Sequence, residues 1–187
     1  MAERPTLVLA SRSPQRRAIL EQLGIPFSVV VSGVDEIEHG VPQEVVVQNA
    51  TRKASAVAAQ RPDELVLGAD TLVYLDGTIY GKPAGAEQAD EMLRALSGRH
   101  HTVLGGLCLI GPGQTRTALA STQVQFRDLS EELIRWYVDS GEWRERAGSY
   151  AIQGRGAALV ARIEGDYLNV VGLPVATLVE MVPRLLG

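Results

Sequence analysis

The sequence predicts an α/β protein built on a mixed β-sheet. Strands and helices alternate over the first third of the 187 residues, whereas hairpins, of which Asp76-Gly77 marks the strongest, join strands in the middle. Alternation is typical of parallel strands with crossover helices, and hairpins are typical of antiparallel pairs. A chain of this length buries a core of its own, and no linker-like stretch or repeat divides it, so one domain over residues 1–187 is expected.

Local patterns justify each element in the first half of the chain. Residues 6–10 are a short apolar run that predicts a strand, and Pro14 suits the first turn of a helix that ends at Gly24. A second strand is predicted over residues 27–31 and is followed by an acidic stretch. An Ala- and Val-rich helix is expected over residues 42–60, where Arg61-Pro62 ends it.

The second half is predicted to begin with a strand, a tight turn and a returning strand. The first of these covers residues 65–75 with an interruption at Gly68, and the chain returns through residues 78–80. The remaining elements are expected to be a helix over residues 86–96, two longer strands flanking residues 111–113, a helix between Ser130 and Gly141, strands within residues 150–163 that Gly154 and Gly156 interrupt, and a last helix over residues 174–186.

The composition excludes several classes of protein. A net charge of −4 and an aromatic content of 5% argue against a nucleic-acid-binding module, which needs a basic surface. The sequence shows no basic segment followed by an apolar signal core, and no apolar run approaches ~18 residues, so no membrane association is expected. Cys108 is the one cysteine, which suits a reducing compartment. These features predict a cytoplasmic protein.

One segment places cations and hydroxyls where a phosphate would bind. Residues 9–17 run from the end of a strand through two serines into a helix whose first turn contains Arg16. An arginine there opposes the helix dipole, and an anion bound at the same turn would relieve that cost. Ser11 would donate its hydroxyl to the same anion. The alternatives are a serine that only caps the helix and an arginine that is only solvated.

Two carboxylates are candidates for metal binding and proton transfer. Asp70 follows a buried strand and two small residues, and Glu36 lies in an acidic stretch. Mg²⁺ is usually held by one or two carboxylates, with waters and phosphate oxygens completing its shell. Lys82 follows Asp70 within one hairpin and is expected to lie near it and contact a phosphate. For both acids, the alternative is a residue in a solvated loop. Lys53 lies in the middle of a predicted helix, a position that is more typical of a surface lysine.

Other nucleotide-handling and hydrolytic classes are disfavoured by missing motifs. The sequence contains no GxxxxGK[ST] phosphate loop, no GxGxxG after a strand and no GxSxG turn. The adjacent His100 and His101 and the isolated His39 do not have the spacing of zinc ligands. A P-loop NTPase, a Rossmann dehydrogenase, an α/β-hydrolase and a zinc enzyme are therefore not expected.

Six short segments together resemble the Maf family of nucleotide pyrophosphatases. They occur in the family's order and extend over almost the whole chain: ASRSPQR at residues 10–16, GADT at 68–71, GKP at 81–83, LSG at 96–98, AGSYAIQG at 147–154 and VGLP at 171–174. Each segment is weak alone, but their joint occurrence is highly specific.

The resemblance implies an activity and a fold. Maf proteins hydrolyse nucleoside triphosphates to the monophosphate and pyrophosphate with a divalent metal cation, Mg²⁺ or Mn²⁺. Their fold is an elongated mixed β-sheet flanked by helices, with two lobes around a central cleft, like that of inosine triphosphatase. By motif, Asp70 matches the catalytic acid and, with Glu36, the metal-binding position. The substrate-binding positions of the family fall on Ser11, Arg16, Lys53 and Lys82.

The resemblance also implies a substrate preference. The branch that acts on dTTP and UTP carries the residues found here as Thr71 and Gln153, whereas the 7-methyl-GTP branch carries Gln and Glu at these positions. Gln153 has the amide donor and acceptor to contact a base edge, or it bonds a neighbouring strand. Gln15 departs from both branches, which carry Arg or Trp there, and is a third candidate specificity residue.

Two further expectations accompany the resemblance. A homodimer is expected. The chain is expected to bind a nucleoside triphosphate as its substrate and to bind no nucleic acid. The alternative function is a non-catalytic nucleotide-binding regulator of cell division. A pure binder has little need for Asp70 and Glu36 beside a polyphosphate, so the enzyme is preferred.

Overall fold

The computed structural model describes residues 7–186 and has a seven-stranded mixed sheet with helices on both faces. The strands are β1 (Leu7–Leu9), β2 (Phe27–Val29), β3 (Leu65–Leu75), β4 (Thr78–Tyr80), β5 (His100–Gly111), β6 (Gln114–Phe126) and β7 (Val160–Glu164). The α-helices are α1 (Pro14–Gln22), α2 (Pro42–Ala58), α3 (Ala86–Leu96), α4 (Glu131–Ser140), α5 (Tyr167–Val171) and α6 (Val175–Met181). Residue 6, the expected start of the first strand, lies outside the described residues.

The sheet combines parallel and antiparallel pairs, which confirms the predicted fold class. Its strand order is β2-β1-β3-β5-β6-β7, and β4 pairs with β3 beyond the end of β1. β1 is parallel to β2 and β3, whereas β3, β5, β6 and β7 pair antiparallel in turn. Within residues 7–186, no helix combines the length and the apolar character that a membrane crossing requires.

Helix α2 packs closely on one face of the sheet because glycines of β3 and β5 lie beneath it. A Cβ added at Gly68 would lie 2.1 Å from the carbonyl oxygen of Ala50, and one at Gly106 would lie 2.3 Å from that of Val46. The prediction that Gly68 interrupts the strand is wrong. The strand continues through Gly68 without a break. The glycine is needed there because the absence of a side chain allows α2 to approach the strand.

Two hydrophobic clusters lie against the other face, one at each end of the long strands. Leu67 and Leu107 belong to the cluster that α1 and α6 cover, and Val73 and Val103 belong to the cluster that α3 and α4 cover. These residues alternate with those beneath α2, as the pleat of a strand requires. The two clusters leave the middle of β3 between them.

The C-terminal third differs from the predicted elements. Residues Gly154–Leu159, where interrupted strands were predicted, form a 3₁₀ helix before β7. The chain turns tightly there, and a Cβ at Gly156 would lie 1.8 Å from the Ala151 carbonyl oxygen. The expected last helix is α6 followed by a 3₁₀ turn at Pro183–Leu185. α5 was not predicted, because five residues are too few to show a helical period.

Candidate active site

The site lies at a gap along one edge of β3. β1 pairs with β3 as far as Leu67, and β4 begins to pair at Val73. Between these residues that edge has no paired strand in the described part of the chain. Asp70 and Thr71 lie in the gap and direct their side chains to opposite faces of the sheet. A ligand that enters the gap reaches both faces of one strand.

A cleft of about 1360 Å³ opens at this gap. All nine candidate residues named from the sequence line it: Ser11, Gln15, Arg16, Glu36, Lys53, Asp70, Thr71, Lys82 and Gln153. They come from six separate parts of the chain, so the tertiary fold and not sequence proximity brings them together.

Lys53 joins the two candidate acids. Its Nζ atom donates to Glu36 Oε1 at 2.6 Å and to Asp70 Oδ1 at 2.7 Å. Lys53 and Asp70 are each only 7% exposed. The helix position that suggested a surface lysine is therefore a buried one, because Lys53 shares the sheet-facing side of α2 with Ala50, Ala54 and Val57.

Lys82 contacts Glu36 and not the acid of its own hairpin. Its Nζ atom donates to Glu36 Oε2 at 3.0 Å. Glu36 therefore lies between Lys53 and Lys82 and contacts both; the predicted contact of Lys82 with a phosphate stays a prediction. Burial raises the pKa of Glu36, but Lys53 and then Lys82 outweigh burial and lower that pKa to about 2. Glu36 is therefore ionised at neutral pH.

Arg16 is buried and held by three groups. Its guanidinium donates to the Gly172 carbonyl oxygen at 2.9 Å, to Ser11 Oγ at 3.0 Å and to Thr71 Oγ1 at 3.2 Å. Burial lowers the pKa of Arg16, and the charges of Asp70 and Glu36 oppose that change. Because guanidinium groups stay protonated in proteins, the result is a fixed cation on the wall of the cleft.

The helix that carries Arg16 begins as its sequence indicates. Ser13 caps α1, since its hydroxyl oxygen accepts from the Arg16 backbone N–H at 3.5 Å, and Pro14 occupies the first turn. Ser13 also donates to Gln15 Oε1 at 3.1 Å. Of the two serines, Ser13 is the cap and Ser11 is the partner of Arg16.

The three candidate specificity residues have different surroundings. The Thr71 hydroxyl lies between the Arg16 guanidinium and the Gly172 carbonyl oxygen, to which it donates at 3.4 Å. Gln15 is half-buried beside Ser13, and Gln153 is exposed where the cleft lining reaches the start of the 3₁₀ helix Gly154–Leu159. Their roles in choosing a base stay predictions.

Two residues of the site were not identified from the sequence. Asn49 donates to Asp70 Oδ2 at 3.1 Å, one helical turn before Lys53. Arg146 lines the cleft, and its Nε atom is buried without a hydrogen-bond partner among the described residues. The four-residue spacing of Asn49 and Lys53 was a usable signal, because two polar residues so spaced share a helix face that is otherwise apolar.

The two acids fit a divalent cation. Within residues 7–186 no cluster of three or more His, Cys, Asp or Glu side chains could enclose a metal, but Mg²⁺ needs only one or two carboxylates when phosphate oxygens and waters complete its shell. Each oxygen of Glu36 and Asp70 accepts one described hydrogen bond and keeps a second lone pair. Six carboxylates and five cationic side chains line the cleft, so these side chains alone do not neutralise a triphosphate.

Sequence comparison gives the family. The family model described as "Maf-like protein" matches residues 6–185. The chain belongs to the Maf family. This Maf chain is 50% identical to a dTTP/UTP pyrophosphatase of Symbiobacterium thermophilum, over 95% of its own length and 93% of the relative's. It is 47% identical to a protein of the same name in Pelotomaculum thermopropionicum, over 95% of each chain.

Further matches include a third dTTP/UTP pyrophosphatase and a solved structure. A dTTP/UTP pyrophosphatase of Pyrococcus furiosus is 43% identical over 94% of this chain and 93% of its own. The Ham1 protein of Staphylococcus aureus matches 66% of this chain and 72% of its own with a TM-score of 0.49 and 19% identity.

Proposed function

We propose that this Maf chain hydrolyses dTTP and UTP to the nucleoside monophosphate and pyrophosphate. The observation that carries the proposal is the contact of one buried lysine with two carboxylates in a cleft that also contains Arg16 and Lys82. A polyphosphate tail needs cations, and its hydrolysis needs an acid–base group beside them. The names of the Maf relatives support the same reaction.

Each side chain has a task in this reaction that follows from its surroundings. Asp70 orients the water that attacks the α-phosphorus and accepts its proton. Arg16, Lys53 and Lys82 bind phosphate oxygens and reduce the negative charge that repels the incoming water. Asp70 and Glu36 would hold Mg²⁺ or Mn²⁺, and the cation would polarise the phosphate oxygens as a Lewis acid.

The preference for pyrimidine bases is part of the proposal. Gln153 has both a donor and an acceptor, lines the cleft and has no described hydrogen-bond partner among residues 7–186. Apolar groups near it, including Ile152 and Tyr150, line the same cleft and suit a base more than a phosphate. Gln15 supplies no charge, so we expect phosphate binding to depend on Arg16 and the two lysines.

A cytoplasmic location and a homodimer complete the proposal. The buried Cys108 thiol suits a reducing compartment, and the pKa of this thiol is raised by burial, which makes it unreactive. The homodimer rests on the family resemblance. Light scattering after size-exclusion chromatography tests it, and a monomer at micromolar concentration would contradict it.

The reaction is tested with a panel of triphosphates in ¹⁸O-labelled water. We expect the purified chain with Mg²⁺ to release pyrophosphate from dTTP and UTP faster than from ATP, GTP, CTP or 7-methyl-GTP. Attack at the α-phosphorus places the label in the monophosphate and none in pyrophosphate. Binding of UTP without turnover would refute the enzyme and favour the nucleotide-binding regulator.

A further inference from the structure

Asn49 connects two parts of the cleft that are distant in the sequence. Its Nδ2 group donates to Asp70 Oδ2 at 3.1 Å and to the Ile37 carbonyl oxygen at 3.0 Å. Its Oδ1 atom accepts from the Ile37 backbone N–H at 2.7 Å. The residue is 3% exposed, so these three hydrogen bonds form away from water.

Only an amide makes this set of contacts. The arrangement uses both N–H donors and the carbonyl acceptor of Asn49. Reversing the amide would place its oxygen against the Asp70 carboxylate and the Ile37 carbonyl, so the observed orientation is fixed by its partners. Aspartate would lose both donors, and leucine would leave three polar groups without their partner.

The contact with Ile37 anchors the segment that carries Glu36. Residues 30–41, between β2 and α2, form no helix or strand. Within this segment, Ile37 packs against the hydrophobic cluster that contains Val46 and Leu72, and its backbone bonds to Asn49. Glu36 is the next residue, so the position of its carboxylate depends on this anchor.

We propose that Asn49 is a positioning residue that fixes Asp70 and the Glu36 segment relative to each other. The inference rests on the proposed function, because both acids act there on one substrate. Partners that orient acid groups in this way typically change activity by about 10–100-fold when they are lost. The effect should fall on kcat, because none of the three proposed phosphate-binding side chains, Arg16, Lys53 and Lys82, donates a described hydrogen bond to Asn49.

The test compares Asn49→Leu and Asn49→Asp with the wild-type chain. We expect kcat for UTP to fall about 10–100-fold while KM changes less than threefold. In the substrate-free protein, amide hydrogen exchange over residues 30–41 should rise, whereas exchange over β5 should stay the same. If Asn49→Leu does not fold, Asn49→Asp has the same size and answers the same question.

Asn169→Asp is the matched control. Asn169 is also buried and does not itself line the cleft, and its Nδ2 group donates to the Val103 carbonyl oxygen and to Thr122 Oγ1, with no described hydrogen bond to Asp70 or to residues 30–41. We expect this variant to lose stability and to keep both kcat and the exchange of residues 30–41.

Two results would overturn the inference: kcat within twofold of wild type in both Asn49 variants, or a lower kcat with unchanged exchange over residues 30–41. If the wild-type chain hydrolyses no triphosphate, the proposed function fails, and the exchange comparison alone decides whether Asn49 anchors the segment.

Discussion

Replacing Lys53 by Met tests the charge balance of the site without measuring catalysis. The methionine keeps most of the side-chain volume but removes the one ammonium that contacts both Glu36 and Asp70. Glu36 Oε1 and Asp70 Oδ1 both contact the Lys53 Nζ atom, so the distance between these two oxygens is at most the sum of the two contact distances, about 5 Å. At an effective dielectric constant of ~20, two like charges at that distance repel by about 3 kcal/mol.

The expected destabilisation is about 3–5 kcal/mol at pH 7, which is typical of a buried ion pair that loses one partner. Adding Asp70→Asn removes the repulsion and should recover on the order of 3 kcal/mol. The double variant should therefore be more stable than Lys53→Met alone. Urea unfolding at pH 7, followed by tryptophan fluorescence, measures both differences.

Arg52→Met is the control, because Arg52 is the exposed neighbour on the same helix and its loss should cost no more than about 0.5 kcal/mol. The reasoning is refuted if Lys53→Met loses less than about 1 kcal/mol, or if Asp70→Asn makes that variant less stable instead of more stable.

Three further predictions concern packing, pH and the base. Gly68→Ala should destabilise the chain by about 1–3 kcal/mol in urea, because the new methyl group meets the backbone of α2, whereas Gly81→Ala, where the new methyl group lies in open space, should not. Burial, with a smaller effect of His100, lowers the pKa of His101 to about 4. Histidine in the unfolded chain binds its proton near pH 6.5, whereas folded His101 does so only near pH 4. The stability that comes from keeping His101 neutral is therefore complete above pH 6.5 and is lost as the pH falls towards 4. The loss should be about 2 kcal/mol between pH 7 and 5, absent in His101→Phe and retained in His100→Gln. Gln153→Glu should lower kcat/KM for UTP relative to GTP, because an ionised carboxylate donates no hydrogen bond; unchanged relative rates would contradict that role.

Much of the fold follows from the sequence because its signals are local. Pro14 and Gly24 bound α1, Asp76-Gly77 adopts positive φ angles and closes a hairpin, and Ser130 caps α4 through the Leu133 N–H. The prediction of a break at Gly68 is wrong for the same reason. Its local signal is that of a strand breaker, whereas its role depends on a helix that packs over it from another part of the chain.

The site was predictable by residue type but not by contact. The motifs name the residues that line the cleft, yet they do not give the pairing of Lys82 with Glu36 or of Lys53 with both acids. These contacts depend on how α2 and residues 30–41 fold over β3, which involves separations of 17 to 46 residues. Asn49 has no motif at all, and only its position one turn before Lys53 marks it.

The most direct test of the proposed reaction is the turnover of Asp70→Asn with UTP and Mg²⁺. Loss of the group that accepts the proton of the attacking water should lower kcat for pyrophosphate release by about 10²–10³-fold. Asp76→Asn, at the exposed end of the same β-hairpin and outside the cleft lining, should stay within twofold of wild type. Near-normal turnover in Asp70→Asn would contradict the assignment of this carboxylate as the catalytic acid–base group.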